Sequence, residues 1–228
     1  MSLENHYLKI SVMIAMIMFV IIALNFGNYS FWYDEYCTIS FIKDGRSLSS
    51  LINIFITDEV SNPPVYTLFM YFWYRLFPHT QSCLLFPNVV FYYLGVFSLA
   101  YNLFKDTGEK ISILICSIFC LVNSFAVKYE IYELRSYAML FMFSSFVLLE
   151  YNAYRKEKNR KNMILLSVLM VLCSMTHYFG LLAISGFGVF DLIKVLKIRK
   201  KECLRNIFIY IPTLIIAGGW LIICMIHK

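Results

Sequence analysis

Pro64-Val65-Tyr66-Thr67-Leu68-Phe69-Met70-Tyr71-Phe72-Trp73-Tyr74-Arg75-Leu76-Phe77 decides how this chain is organised. The stretch is apolar and crowded with rings, yet it is 14 residues long, and a helix that crosses a bilayer needs ~20. Counted as a span, it would invert the side of every loop that follows. The reading that keeps the rest of the chain consistent is an interfacial or re-entrant helix along one leaflet. Tyr66, Tyr71, Trp73 and Tyr74 would anchor it, because flat apolar rings with polar tips settle at the membrane-water boundary.

Outward from that segment, seven apolar runs are expected to cross the membrane. They are Leu8 to Phe26, Leu85 to Phe104, Ile111 to Val127, Tyr137 to Tyr154, Asn162 to Thr176, Tyr178 to Val195 and Ile207 to Ile226. Composition agrees: 60% of the 228 residues are hydrophobic and 15% charged, with a mean hydropathy of +0.68, far from an ordinary soluble domain. The expected fold is all-α, a polytopic membrane helix bundle forming a single module over residues 1–228.

Charge sets the orientation. The net +6 is not spread over a basic face; it is concentrated in Arg155 to Lys161 and Lys194 to Arg205, short loops between apolar runs. Such loops face the cytoplasm, which argues against nucleic acid and for a lipid bilayer as the partner. The first run has little positive charge before it and no small-x-small cleavage site, so it is expected to remain as an uncleaved first span with a cytoplasmic N-terminus. Residues 28–83 then form one long outer loop with juxtamembrane helices, and Lys128 to Ser136 and the turn at Thr176-His177-Tyr178 face the same side.

Within that loop, Phe31-Trp32-Tyr33-Asp34-Glu35-Tyr36-Cys37-Thr38-Ile39-Ser40 sets two adjacent carboxylates among aromatic rings. Such a carboxylate can serve as general base toward a hydroxyl, or help hold a divalent cation with hard oxygen ligands. The competing reading is a pair of acids capping the next helix, and on residue type alone the two are even. Tyr132-Glu133-Leu134-Arg135-Ser136-Tyr137 places an arginine just before a span, where its planar fork suits a phosphate; an ordinary ion pair at a helix start is the alternative. Ser61-Asn62-Pro63-Pro64 is a stiff turn into the short helix. One histidine, His177, cannot make a metal site. Glu150 and Asp191 are expected to reach the interface, with Lys194 near Asp191. Cys37 and Cys83 fall on one side, but their spacing in sequence does not establish a disulfide.

Four motifs in this order resemble a known group: Trp32-Tyr33-Asp34-Glu35 after the first span, Pro63-Pro64-Val65-Tyr66, Glu133-Leu134-Arg135-Ser136-Tyr137 before a span, and Thr176-His177-Tyr178-Phe179-Gly180 in a short turn. The chain is similar, from its N-terminus to about Leu182, to bacterial membrane glycosyltransferases of the C-type (GT-C) superfamily, related to protein O-mannosyltransferases and to the aminoarabinose transferases of lipid A. The resemblance implies transfer of a sugar from a polyprenyl-phosphate-linked donor to a glycan, lipid or protein acceptor at the outer leaflet, with inversion. It implies Asp34 as catalytic base supported by Glu35, and Arg135 on the donor phosphate. Glu133, Tyr137, Asn62, Tyr66, His177 and Tyr178 become substrate-side candidates, and Asp34 and Glu35 candidate ligands for Mg or Mn. Asn62 stands where relatives often carry His, Leu84 to Pro87 lacks an Arg common there, and relatives continue with further spans, so truncation at the C-terminus is expected. A lipid-linked sugar transporter or flippase, or a non-catalytic membrane subunit, are the alternatives; a transporter would carry polar groups or broken helices near the midplane.

Overall fold

The computed structural model describes residues 31–44, 47–57, 63–108, 131–198 and 207–226, with the single positions 10, 13, 16 and 17. Among these residues the chain is all-helical, without a strand. The stretch between the first two expected spans holds three short helices, α1 (Tyr33–Asp44), α2 (Leu48–Thr57) and α3 (Val65–Leu76). Four longer helices follow: α4 (Gln81–Thr107), α5 (Tyr137–Lys156), α6 (Arg160–Ser174) and α7 (Tyr178–Ile198). A 3-10 turn, Phe208–Tyr210, leads into α8 (Ile211–Ile226). The 12 residues of α3 extend ~18 Å at 1.5 Å per residue, too short to cross ~30 Å of hydrocarbon.

Among the described residues three segments are long and apolar enough to cross a membrane: Gln81–Lys105, Tyr178–Lys197 and Phe208–Ile226. Leu182, Leu196, Leu214 and Ile215 stand exposed on the last two, a surface that water would penalise and lipid does not. Two of the other expected spans are helices that fall short of that length or hydropathy. Helix α6 has 15 residues, ~22 Å of rise, because Asn159 caps it at one end, accepting the Asn162 N–H at 2.8 Å, and the turn at 175–177 stops it at the other. Helix α5 is long enough at 20 residues, but Ser144, Ser145, Glu150 and Asn152 dilute its apolar character. The runs Leu8 to Phe26, apart from the four single positions, and Ile111 to Val127 lie outside the described residues.

The chain divides into two compact units, Met1–Lys43 with Thr67–Leu149, and Asp44–Tyr66 with Glu150–Lys228. In the first, Leu85, Val89, Tyr92 and Val96 recur along α4 at the spacing of one helix face and are buried. Gly95 lets α5 come close, since a Cβ there would lie 2.6 Å from Phe141 Cδ1. Helix α4 starts at Thr80, whose hydroxyl caps the Cys83 N–H, and ends at Gly108 in the left-handed conformation (φ 72°). It also runs through Pro87, which has no N–H to give to the carbonyl four residues back. That carbonyl, on Cys83, accepts the Trp73 indole N–H at 2.9 Å instead. The helix therefore survives its proline with no polar group abandoned.

In the second unit α6 packs against α7 and α8, burying Leu166, Met170 and Cys173. The turn joining α6 to α7 is tight: a Cβ on Gly180 would sit 2.2 Å from the Cys173 carbonyl oxygen. The Met175 carbonyl accepts the Val65 N–H at 3.0 Å, which satisfies one of the free donors at the start of α3. Asp191 does not reach the interface beside Lys194. It is buried, with one carboxylate oxygen accepting the Tyr151 hydroxyl at 2.7 Å and the other the Tyr210 hydroxyl at 2.8 Å. Lys194 lies over the Phe190 ring at 3.9 Å. Two phenol donors make burial of the acid tolerable.

Candidate functional site

Helix α1 opens with the two acids, and they part company at once. The Glu35 and Tyr36 amides both donate to the Trp32 carbonyl at 3.1 Å, so Trp32 is the N-cap residue. Glu35, three positions on, reaches back and accepts the Trp32 N–H on Oε2 at 2.6 Å, the carboxylate half of a capping box. Its other oxygen accepts the backbone N–H of Leu134, from the far end of the first unit's sequence. Glu35 is 1% exposed. Both oxygens are engaged by backbone donors, so this acid pins the start of α1 to the 131–136 turn.

Asp34, one residue earlier, points outward. Its side chain is 64% exposed and makes an ion pair with the Arg135 guanidinium, whose side chain is 33% exposed. Arg135 Nε lies 3.5 Å from Glu133 Oε2, an electrostatic contact without a hydrogen bond of its own, leaving that N–H available. Partial burial works against the charge on Arg135. A hydrogen bond to the Tyr137 hydroxyl and the carboxylates of Glu133 and Asp34 outweigh it and raise its pKa. Asn88 of α4, fully buried, donates from Nδ2 to the Glu133 carbonyl at 2.6 Å, fixing the turn from below. Trp32, Tyr33 and Tyr36 surround Asp34 in sequence and are exposed.

The structure brings Asp34, Glu35, Glu133, Arg135 and Tyr137 together in one unit and turns the two acids to different partners. The capping reading holds for Glu35. Asp34 remains the accessible group. Tyr66 is buried in the first turn of α3, and His177 and Tyr178 form the α6–α7 turn, all three in the second unit. His177 Nδ1 accepts the Phe179 N–H at 3.1 Å, and burial lowers its pKa, favouring the neutral ring. The Tyr178 hydroxyl is 3.8 Å from Cys224 Sγ. Asn62 lies outside the described residues. Cys37 and Cys83 are free thiols. Asn88 escaped the sequence reading; its signal was an amide directly after Pro87 near the start of an apolar run.

A divalent cation finds no cradle here. Glu35 has lent its oxygens to two N–H groups, Asp34 faces a guanidinium that would repel a cation, and no group of three or more His, Cys, Asp or Glu gathers among the described residues. The side chains as arranged do not fit a metal. Set against family models, curated proteins and solved structures, the chain matches none of them.

Proposed function

We propose that the chain is a multi-pass membrane glycosyltransferase of the C-type group, with about seven spans in all. It moves a sugar from a polyprenyl-phosphate donor to an acceptor hydroxyl on the extracytoplasmic side of the cell membrane. The observation that supports this most is the Asp34–Arg135 pair, which unites two motifs 101 residues apart. A phosphate leaving group needs positive charge beside it, and an attacking hydroxyl needs a base. The pair supplies both, on a surface rimmed by exposed rings that can stack on a sugar.

Arg135 binds the donor phosphate with the face of its guanidinium that Asp34 now occupies. The incoming phosphate displaces the carboxylate, so donor binding frees Asp34 to act. Asp34 then takes the proton of the acceptor hydroxyl as its oxygen attacks the anomeric carbon from the side opposite the phosphate. The carbon–oxygen bond to the phosphate breaks, its electron pair leaves with polyprenyl phosphate, and Arg135 stabilises the charge. Glu35, Glu133 and Asn88 hold the two reacting side chains in place.

Purified protein incubated with a panel of polyprenyl-phosphate sugars, with and without chelator, tests the reading. Asp34→Asn keeps size and hydrogen bonding but not proton acceptance, and turnover should fall by ~10²–10⁴-fold with donor binding little changed. Arg135→Lys keeps the charge, loses the planar fork, and should weaken donor affinity more than acceptor use. An Asp34→Asn protein with full turnover would remove the catalytic assignment and leave an ordinary surface ion pair.

A further inference from the structure

Between α6 and the segment of 208–216 the second unit carries a groove of about 440 Å³. Ile164, Val168 and Leu172 form one wall and Phe208, Pro212 and Ile216 the other. Each set recurs every four residues, so each is one stripe of a helical turn series. The one polar side chain in the lining is Ser167, whose hydroxyl is spent on the Ile209 carbonyl at 3.0 Å. The floor therefore offers nothing to a sugar, a peptide backbone or a phosphate. Ile164, Val168, Phe208 and Ile216 are exposed along it, the last two in a segment long and apolar enough to cross a membrane. A hydrocarbon chain is the chemistry it fits.

One end of the groove is different. Arg160 precedes Ile164 by one turn, on the same face of α6, and Lys161 stands next to it. Both are exposed. An apolar trough that ends at two cations is the complement of an amphiphile with a negative head and a long tail.

We infer that this groove is a binding site for an anionic phospholipid of the surrounding bilayer, with one acyl chain between α6 and α8 and its phosphate at Arg160 and Lys161. The site is independent of the Asp34–Arg135 chemistry and rests only on the chain's membrane-embedded character. Occupancy would brace the 15-residue α6 by giving its N-terminal end a lipid headgroup to hold.

The test is native mass spectrometry of the full chain released from mixed micelles holding equal amounts of phosphatidylglycerol and phosphatidylcholine, with a photoactivatable acyl chain on each lipid in a parallel experiment. Phosphatidylglycerol should be retained preferentially, and its cross-links should map to 163–172 and 208–216. Arg160→Gln and Lys161→Gln, both on exposed side chains, should each cut the preference about fivefold, equivalent to ~1 kcal/mol per cation near an anionic surface. Val168→Trp should lower retention of both lipids by filling the trough. Equal retention of the two lipids by the unaltered chain, or a preference untouched by either cation substitution, would overturn the proposal. So would cross-links from the groove to a second copy of the chain in place of lipid.

Discussion

Replacing Glu35 with glutamine separates positioning from chemistry more cleanly than any change at the exposed acid. The carboxylate accepts two backbone N–H groups, from Trp32 and from Leu134, in a site 1% exposed. Glutamine has the same shape but one acceptor oxygen, and turns an amide NH2 toward the other N–H. A charge-assisted bond worth ~1.5–3 kcal/mol weakens and a buried donor is stranded at ~1–3 kcal/mol. Partial relaxation of the turn offsets part of this, so a loss of about 2–4 kcal/mol is expected. The Asp34–Arg135 pair is far more exposed, and breaking it with Asp34→Asn should alter stability by no more than ~1 kcal/mol. Denaturant or thermal unfolding in detergent gives the comparison, and amide hydrogen exchange localises it. At 1.4 kcal/mol per factor of ten, opening at Trp32 or Leu134 should become roughly 30-fold more frequent for a 2 kcal/mol loss. Glu35→Gln with unaltered unfolding and unaltered exchange at both amides would refute the assignment of Glu35 as the pin between α1 and the 131–136 turn.

Gly180→Ala should destabilise by ~1–3 kcal/mol in the same unfolding assay, because its Cβ meets a backbone oxygen at 2.2 Å, whereas Gly186→Ala in the same helix meets nothing within 4 Å and should be neutral or stabilising. Trp73→Phe should cost ~1–2 kcal/mol by stripping the Cys83 carbonyl of its donor, and Pro87→Ala should recover much of that by restoring a helical N–H; additive effects in the double mutant would count against the rescue. His177 binds its proton less readily in the folded protein than the ordinary pKa of ~6.5. The unfolded chain therefore takes up more protons, so this contribution is fully present above ~6.5 and is lost as pH falls below it. His177→Gln should flatten that part of the pH–stability curve, and an unchanged curve would show that the ring does not contribute.

Helical character was legible because the apolar runs are long and are separated by short polar or basic loops, as at Arg155 to Lys161. That Asp34 and Arg135 share one side was legible through motifs; their direct pairing, between partners 101 residues apart, was hidden. The division between the acids was not legible either. Neighbouring residues in the first turn of a helix point about 100° apart, so one acid turns inward and the other outward, and the sequence does not say which. Asn88 was hidden for another reason: its partner is a main-chain carbonyl, and any residue can supply one. Helix α6 has the expected length of 15 residues but lies two residues earlier, because the Asn159 cap sets its start and the turn at 175–177 ends it. Asp191 was misplaced because the two tyrosines that accompany it come from other helices.

The bond between Glu35 and Leu134 has a consequence for the order in which the protein is made. Its partners are 99 residues apart, and a ribosome adds ~5–20 residues per second. For roughly 5–20 s after Glu35 emerges, the acid has no Leu134 amide to hold. It must wait hydrated while α4 and the residues up to 134 are made. Helix α1 can form its own cap with Trp32 in that interval, but the turn carrying Arg135 joins it only afterwards. Assembly of the acid–arginine pair is thereby a late event of biogenesis, and a chain halted before residue 134 would display Asp34 with nothing to pair with.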